Sequence, residues 1–177
     1  MMKRFLLVDD EINVLNALQR ILRQRMSDED LKIETYTDPV AALERIGEAS
    51  FDLVISDHRM PMMTGVEFLK AVKKIQPDAV RLMLSAYSEF QAVVNAVNEA
   101  EVFRYISKPW QAEELEEVIR LALVRRGQLL EDRRLADEMR AKRGELSAQD
   151  LEARRLEEEE PGITKVNWGP DGSVHLE

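Results

Sequence analysis

Cysteine is absent from the 177 residues, which excludes disulfides and thiolate metal sites alike. Positive charge is scarce: 25 Lys and Arg stand against 34 Asp and Glu, a formal net charge of −9. A nucleic-acid partner needs a basic face to neutralise phosphates, and no basic cluster of that size is present, so none is expected. No apolar run approaches the roughly 20 residues that cross a bilayer. The opening Met1-Met-Lys-Arg-Phe-Leu-Leu-Val-Asp-Asp10 is basic and then apolar, but acids interrupt it too early for a signal peptide. The chain reads as soluble and cytoplasmic, with no membrane partner.

What is present is enough to build a core. Hydrophobic residues make up 45% of a chain long enough for one domain and an appendage. Over residues 1–110 short apolar runs alternate with amphipathic segments. Strands are expected at Arg4–Val8, Lys32–Tyr36, Leu53–Ser56, Val80–Leu84 and Val102–Ile106. Helical patterns lie near 12–25, 39–48, 65–75 and 89–99, and a fifth begins after Pro109. Leu53–Ile55 and Leu82–Leu84 are apolar throughout, as in parallel strands covered by helices on both faces. The alternation predicts an α/β fold: a doubly wound, five-stranded parallel sheet with right-handed crossovers.

From Gln111 to about Glu160 the chain is rich in Glu, Arg, Leu and Ala and contains no proline. Leu115, Val118, Ala122, Leu135, Met139 and Leu146 recur at helical and partly heptad-like spacing, which falters beyond Leu146. The expectation is a fifth helix continuing outward to Glu160, a candidate coiled coil. The closing stretch alternates apolar and polar residues around Gly169-Pro-Asp-Gly172, which predicts a small β-hairpin. The expected organisation is a compact domain over 1–125, a charged helical extension over 126–160 and a hairpin tail over 161–177.

The chemistry sits at the predicted strand ends. Asp9 and Asp10 close the first apolar run, and Asp57 closes the third, Phe51-Asp-Leu-Val-Ile-Ser-Asp57. Ser85 ends the fourth strand and Lys108 follows the fifth. If the first and third strands are parallel neighbours, three carboxylates converge, which is costly without a cation among them. Such an all-oxygen site suits Mg²⁺, which welcomes a phosphoryl oxygen. A carboxylate can attack phosphorus, with an ammonium and a hydroxyl steadying the transferring group. Blander roles exist for each residue taken alone. Asp9 and Asp10 can cap the helix starting at Ile12, Asp57 can be a loop acid and Tyr105 a half-buried strand residue. Gly65 is expected to serve backbone geometry at a helix entry.

Asp9-Asp10, Asp57 followed by Met60-Pro61 and Gly65, Ser85-Ala86, and Lys108-Pro109 together resemble the receiver domain of two-component response regulators, over about residues 3–125. The resemblance implies a chemotaxis-regulator-like fold and Asp57 as acceptor of a phosphoryl group from a sensor histidine kinase. It implies Mg²⁺ held by Asp9, Asp10, Asp57 and the backbone carbonyl of Arg59. Ser85 would contact the phosphoryl oxygens and Lys108 would pair with them. Tyr105 matches an aromatic switch that turns inward with Ser85, and Pro109 matches a proline usually preceded by a cis bond. The face made by the fourth helix, fifth strand and fifth helix is the implied output surface. Phe103-Arg-Tyr-Ile-Ser-Lys-Pro-Trp110 further resembles receivers joined to cyclic-di-GMP phosphodiesterase or hydrogenase-regulator outputs.

No helix-turn-helix, nucleotide-cyclase or ATPase pattern follows. The favoured expectation is a regulator that is not an enzyme and signals by phosphorylation-dependent contact with a downstream protein. A homodimer through the C-terminal helix or the output face is a further expectation. The alternatives are a receiver fragment of a longer regulator, or a phosphorylation-independent coiled-coil adaptor.

Overall fold

A computed structural model describes residues 1–144 and 146–162, the side chains at 87, 90–92 and 95–96 aside. The hairpin expected near the C-terminus lies outside the described residues. The elements run β1 (Lys3–Val8), α1 (Ile12–Arg25), β2 (Leu31–Tyr36), α2 (Pro39–Ile46), β3 (Leu53–Asp57), α3 (Gly65–Ile75), β4 (Val80–Ala86), α4 (Phe90–Ala100), β5 (Arg104–Lys108), α5 (Ala112–Lys142) and α6 (Ala148–Glu159). A 3-10 turn over Tyr87–Glu89 joins β4 to α4.

All strand pairings are parallel, in the order β2-β1-β3-β4-β5. Period-two alternation splits the core into two layers. Phe5, Leu7, Leu53, Ile55, Leu82 and Leu84 pack with Leu15, Leu18 and Leu22 of α1 and with Leu115 and Ile119 of α5. Leu6, Val8, Val54 and Met83 face the other way, onto Ala42 and Ile46 of α2, Phe68, Leu69 and Val72 of α3, and Val93 of α4. This is the doubly wound parallel sheet that the apolar runs predict. Its strand order reverses between β1 and β3, where open sheets of this kind bind ligands beyond the strand ends.

Local signals set the element boundaries. Asp38 caps α2 by accepting from the Val40 amide at 2.9 Å, with Pro39 at the first helical position. β5 begins two residues later than expected. The Val102 amide instead bonds the Val97 carbonyl at the end of α4, and the Phe103 amide bonds the Arg81 carbonyl at 2.8 Å.

The single helix expected from Gln111 to Glu160 is two helices. α5 stops at Lys142 because Gly144 takes φ +77°, a left-handed conformation that ends helices. α6 then starts from a capping box in which Ser147 and Asp150 serve each other's backbone amides. Arg154 pairs with Asp137, and Arg133 pairs with Asp78 and Glu158. These pairs fold α6 back along α5. Arg126 joins Asp52 at 2.9 Å, tying α5 to the loop before β3. A cavity of about 740 Å³ lies here, lined by Arg4, Asp52, Gln76, Arg126, Arg133 and Glu158 among others. It sits where the strands begin, opposite the end that carries the acids. Among the described residues no helix is long and apolar enough to cross a membrane.

Candidate functional site

Parallel strands bring their C-terminal ends to one edge. Asp9 follows β1 directly, Asp57 is the last residue of its neighbour β3, and Lys108 is the last residue of β5. Asp9, Asp10 and Asp57 each offer a carboxylate oxygen, and the three oxygens lie within 4.8 Å of one another. Asp9 and Asp57 are buried, 1% and 8% exposed, while Asp10 faces outward. Asp9 is held in place by the Glu11 amide, which donates to its Oδ1 at 2.9 Å. From across the site Lys108 Nζ reaches Asp9 Oδ2 at 2.9 Å and Asp57 Oδ1 at 2.8 Å.

The electrostatics follow from this crowding. Burial pushes the Asp57 carboxyl above its ordinary value; the Lys108 hydrogen bond opposes it, and the Asp9 charge reinforces the rise. Burial by itself would lower the Lys108 ammonium, but its hydrogen bonds to Asp57 and Asp9 outweigh that and hold it raised. One ammonium offsets only part of the charge of three carboxylates. The donors are all oxygen, so the arrangement fits a hard divalent cation such as Mg²⁺.

The loop after Asp57 is folded against the acid's own backbone. The Gly65 amide donates to the His58 carbonyl at 2.8 Å. A Cβ on Gly65 would stand 2.1 Å from the Asp57 carbonyl oxygen, so only glycine fits. Thr64 and Glu67 then start α3 with a capping box. Of the loop methionines, Met60 is buried in the core, Met63 packs against it and Met62 is exposed.

Ser85 is fully buried on β4. Its hydroxyl donates to Glu89 Oε2 at 2.8 Å. Glu89 also meets His58 Nδ1 at 3.2 Å and the Arg59 guanidinium. Its carboxyl is lowered. Burial acts against that, and the hydrogen bonds from Ser85 and His58 together with the Arg59 charge prevail. The Tyr105 side chain is half-buried, and its hydroxyl donates to the Ser85 carbonyl at 3.1 Å and the Ala86 carbonyl at 3.3 Å. The Lys108–Pro109 bond is cis. The structure thus gathers Asp9, Asp10, Asp57 and Lys108, and sets Ser85 beside them with its proton committed elsewhere. Sequence reasoning missed Glu89. The residue reads there only as a helix start, although an acid four residues after a site serine is a signal worth testing.

The response regulator receiver domain family model matches residues 5–120. The chain belongs to that family. Residues 5–120 form a receiver domain of the two-component response regulator type, a signalling fold. The hydrogenase transcriptional regulatory protein HoxA of Bradyrhizobium diazoefficiens is 41% identical over 118 residues, covering 67% of this chain and 23% of that protein. A structure described as adenylate cyclase from Rhodopirellula baltica superposes with a TM-score of 0.70 at 30% identity, covering 77% of this chain and 98% of that one. A CheY-like response regulator receiver domain protein from Methanospirillum hungatei JF-1 gives 0.64 at 26% identity, with 72% and 98% covered. The chain spans about a quarter of the length of the curated relatives it matches.

Proposed function

We propose that this receiver takes a phosphoryl group on Asp57 from the phosphohistidine of a sensor kinase, and signals through phosphorylation-dependent contact with another protein. The observation that carries this reading is the ammonium of Lys108 joined to both Asp57 and Asp9 beside a third carboxylate. Asp9, Asp10, Asp57 and the backbone carbonyl of Arg59 would hold Mg²⁺. When bound, that ion supplies positive charge against the negative charge of the transferring group.

In the transfer, a carboxylate oxygen of Asp57 attacks phosphorus in line with the departing histidine nitrogen. The O–P bond forms as the N–P bond breaks. The bonding pair stays on the imidazole, which takes up a proton. Lys108 would pair with a phosphoryl oxygen, and the Ser85 hydroxyl, once turned from Glu89, would donate to another. Tyr105, whose hydroxyl donates to the Ser85 carbonyl, would feel movement of that residue and carry it to the α4–β5–α5 face.

The test is incubation with acetyl phosphate and Mg²⁺, read as phosphoprotein by gel retardation and intact mass. Wild type is expected to be modified once and Asp57→Asn not at all, with both showing the same circular dichroism. Modification of Asp57→Asn to the wild-type extent would remove the reading.

Exposed Leu121, Val124, Leu129, Leu135 and Met139 on α5 favour a second element, a homodimer formed along that helix. Light scattering of the full chain beside a chain ending at residue 125 tests it; equal protomer numbers would retire it.

A further inference from the structure

The acid that sequence reasoning missed has an unusual position. Glu89 is the N-cap residue of α4, where a short polar side chain ordinarily accepts from the helix's own free amides. Its carboxylate makes no such bond. It turns away from α4 and, only 14% exposed, gathers Ser85 Oγ, His58 Nδ1 and the Arg59 guanidinium. The loop after β3 and the loop after β4 thereby meet at one side chain.

Serine has a single hydroxyl proton. Ser85 gives it to Glu89 at 2.8 Å; the other acceptor in reach, the Ala86 carbonyl, is at 3.4 Å. A phosphoryl oxygen on Asp57 needs that same proton. We propose that Glu89 is a latch on the unphosphorylated receiver, competing with the phosphoryl group for the Ser85 hydroxyl. Phosphorylation is complete only when Ser85 rotates away from Glu89, which removes one of the three contacts that tie the start of α4, through Glu89, to the strand ends.

The other end of α4 is anchored differently. Arg81, 7% exposed, donates to the Ala100 carbonyl at 3.0 Å and the Ala79 carbonyl at 2.8 Å, with Pro77 and Glu101 also in reach. A buried guanidinium fastened to backbone carbonyls at a helix C-terminus is a fixed point. Loss of the Ser85 contact therefore loosens the start of α4 while Arg81 keeps its end in place.

This inference rests on the phosphoacceptor reading, and its test separates the two. Beryllofluoride with Mg²⁺, a stand-in for the phosphoryl group, is titrated calorimetrically into the 177-residue chain. Relative to wild type, Glu89→Ala is expected to bind beryllofluoride about tenfold more tightly, the scale of one hydrogen bond to a charged acceptor. Mg²⁺ affinity is expected to stay within about twofold. Glu89→Gln, whose amide oxygen still accepts the proton, is expected to gain much less. In a Ser85→Ala background, Glu89→Ala is expected to gain nothing.

Unchanged or weaker beryllofluoride binding by Glu89→Ala overturns the latch. So does a gain that persists without Ser85, or one that Glu89→Gln reproduces in full, since either would mean simple charge repulsion. A wild type that takes up no beryllofluoride overturns the phosphoacceptor reading and the latch together.

Discussion

Lys108 Nζ stands 2.8 Å from Asp57 Oδ1 and 2.9 Å from Asp9 Oδ2, so an amine from the last strand bridges acids from two others. Asp57 and Asp9 are both buried, and the bridge sets a positive charge between two carboxylates that would otherwise repel each other. The same ammonium that makes the site tolerable also competes with any cation entering it. On the proposed reading, Lys108 therefore has opposite effects on Mg²⁺ and on the phosphoryl group.

Lys108→Met is accordingly expected to raise Mg²⁺ affinity, by about threefold, because a positive charge leaves the cation's surroundings. It is expected to slow Asp57 modification by acetyl phosphate by about tenfold or more, because the phosphoryl oxygens lose their partner. Magnesium titration and single-turnover phosphorylation measure the two separately. A fall in both would mean that Lys108 only organises the pocket.

Gly65→Ala addresses the loop. The added Cβ would meet the Asp57 carbonyl oxygen at 2.1 Å and the His58 Cα at 3.0 Å, both on backbone that cannot swing aside. We expect a loss of about 3 kcal/mol in urea unfolding, at the upper end for an overpacked site. Gly127→Ala is the control: nothing lies within 4 Å of its added Cβ, so the substitution should be neutral or stabilising.

Much of this was legible because the apolar runs end in the chemistry. Phe51 to Ser56 is a run whose next residue is Asp57, so a strand with a terminal carboxylate could be read directly. Strand ends were less legible, since polar site residues belong to the ladder: β3 includes Asp57, β4 extends to Ala86 and β5 to Lys108. The break in the C-terminal helix was written in Gly144 and Ser147, but continuous Glu and Arg content masked it. Arg81 and Glu89 were not legible at all. Which carbonyls surround a guanidinium, and whether an N-cap acid caps or turns away, depends on tertiary neighbours that no local pattern encodes.

Ion pairs Arg154–Asp137 and Arg133–Glu158 join α6 to α5, while Arg126–Asp52 and Arg133–Asp78 fasten α5 to the loops before β3 and β4. Pairs with this much solvent contact contribute about 1 kcal/mol or less each and are screened by salt. Arg133→Ala with Arg154→Ala is thus expected to speed amide hydrogen exchange in α6 about tenfold while leaving β1 and β3 protected. Raising salt on wild type should move α6 exchange the same way. An α6 indifferent to both would mean that apolar packing holds it.

Glu34 and Arg45 give the pH test, because their pairing is geometrically strong and lies away from the acid cluster. Arg45 Nε and Nη2 donate to the two carboxylate oxygens of Glu34 at 2.9 and 3.0 Å, a forked pair joining β2 to α2. The Arg45 hydrogen bonds hold the Glu34 carboxyl below its ordinary 4.5 against a smaller opposing effect of burial. An acid depressed in the folded state stabilises the fold at pH above its unfolded value, and the contribution fades as pH falls through the folded value. Glu34→Gln is therefore expected to cost about 1 kcal/mol at pH 7 and progressively less below about pH 4.5. Urea unfolding of both proteins from pH 7 to pH 3 checks the sign. A difference that stays constant over that range would mean that Glu34 contributes by packing alone.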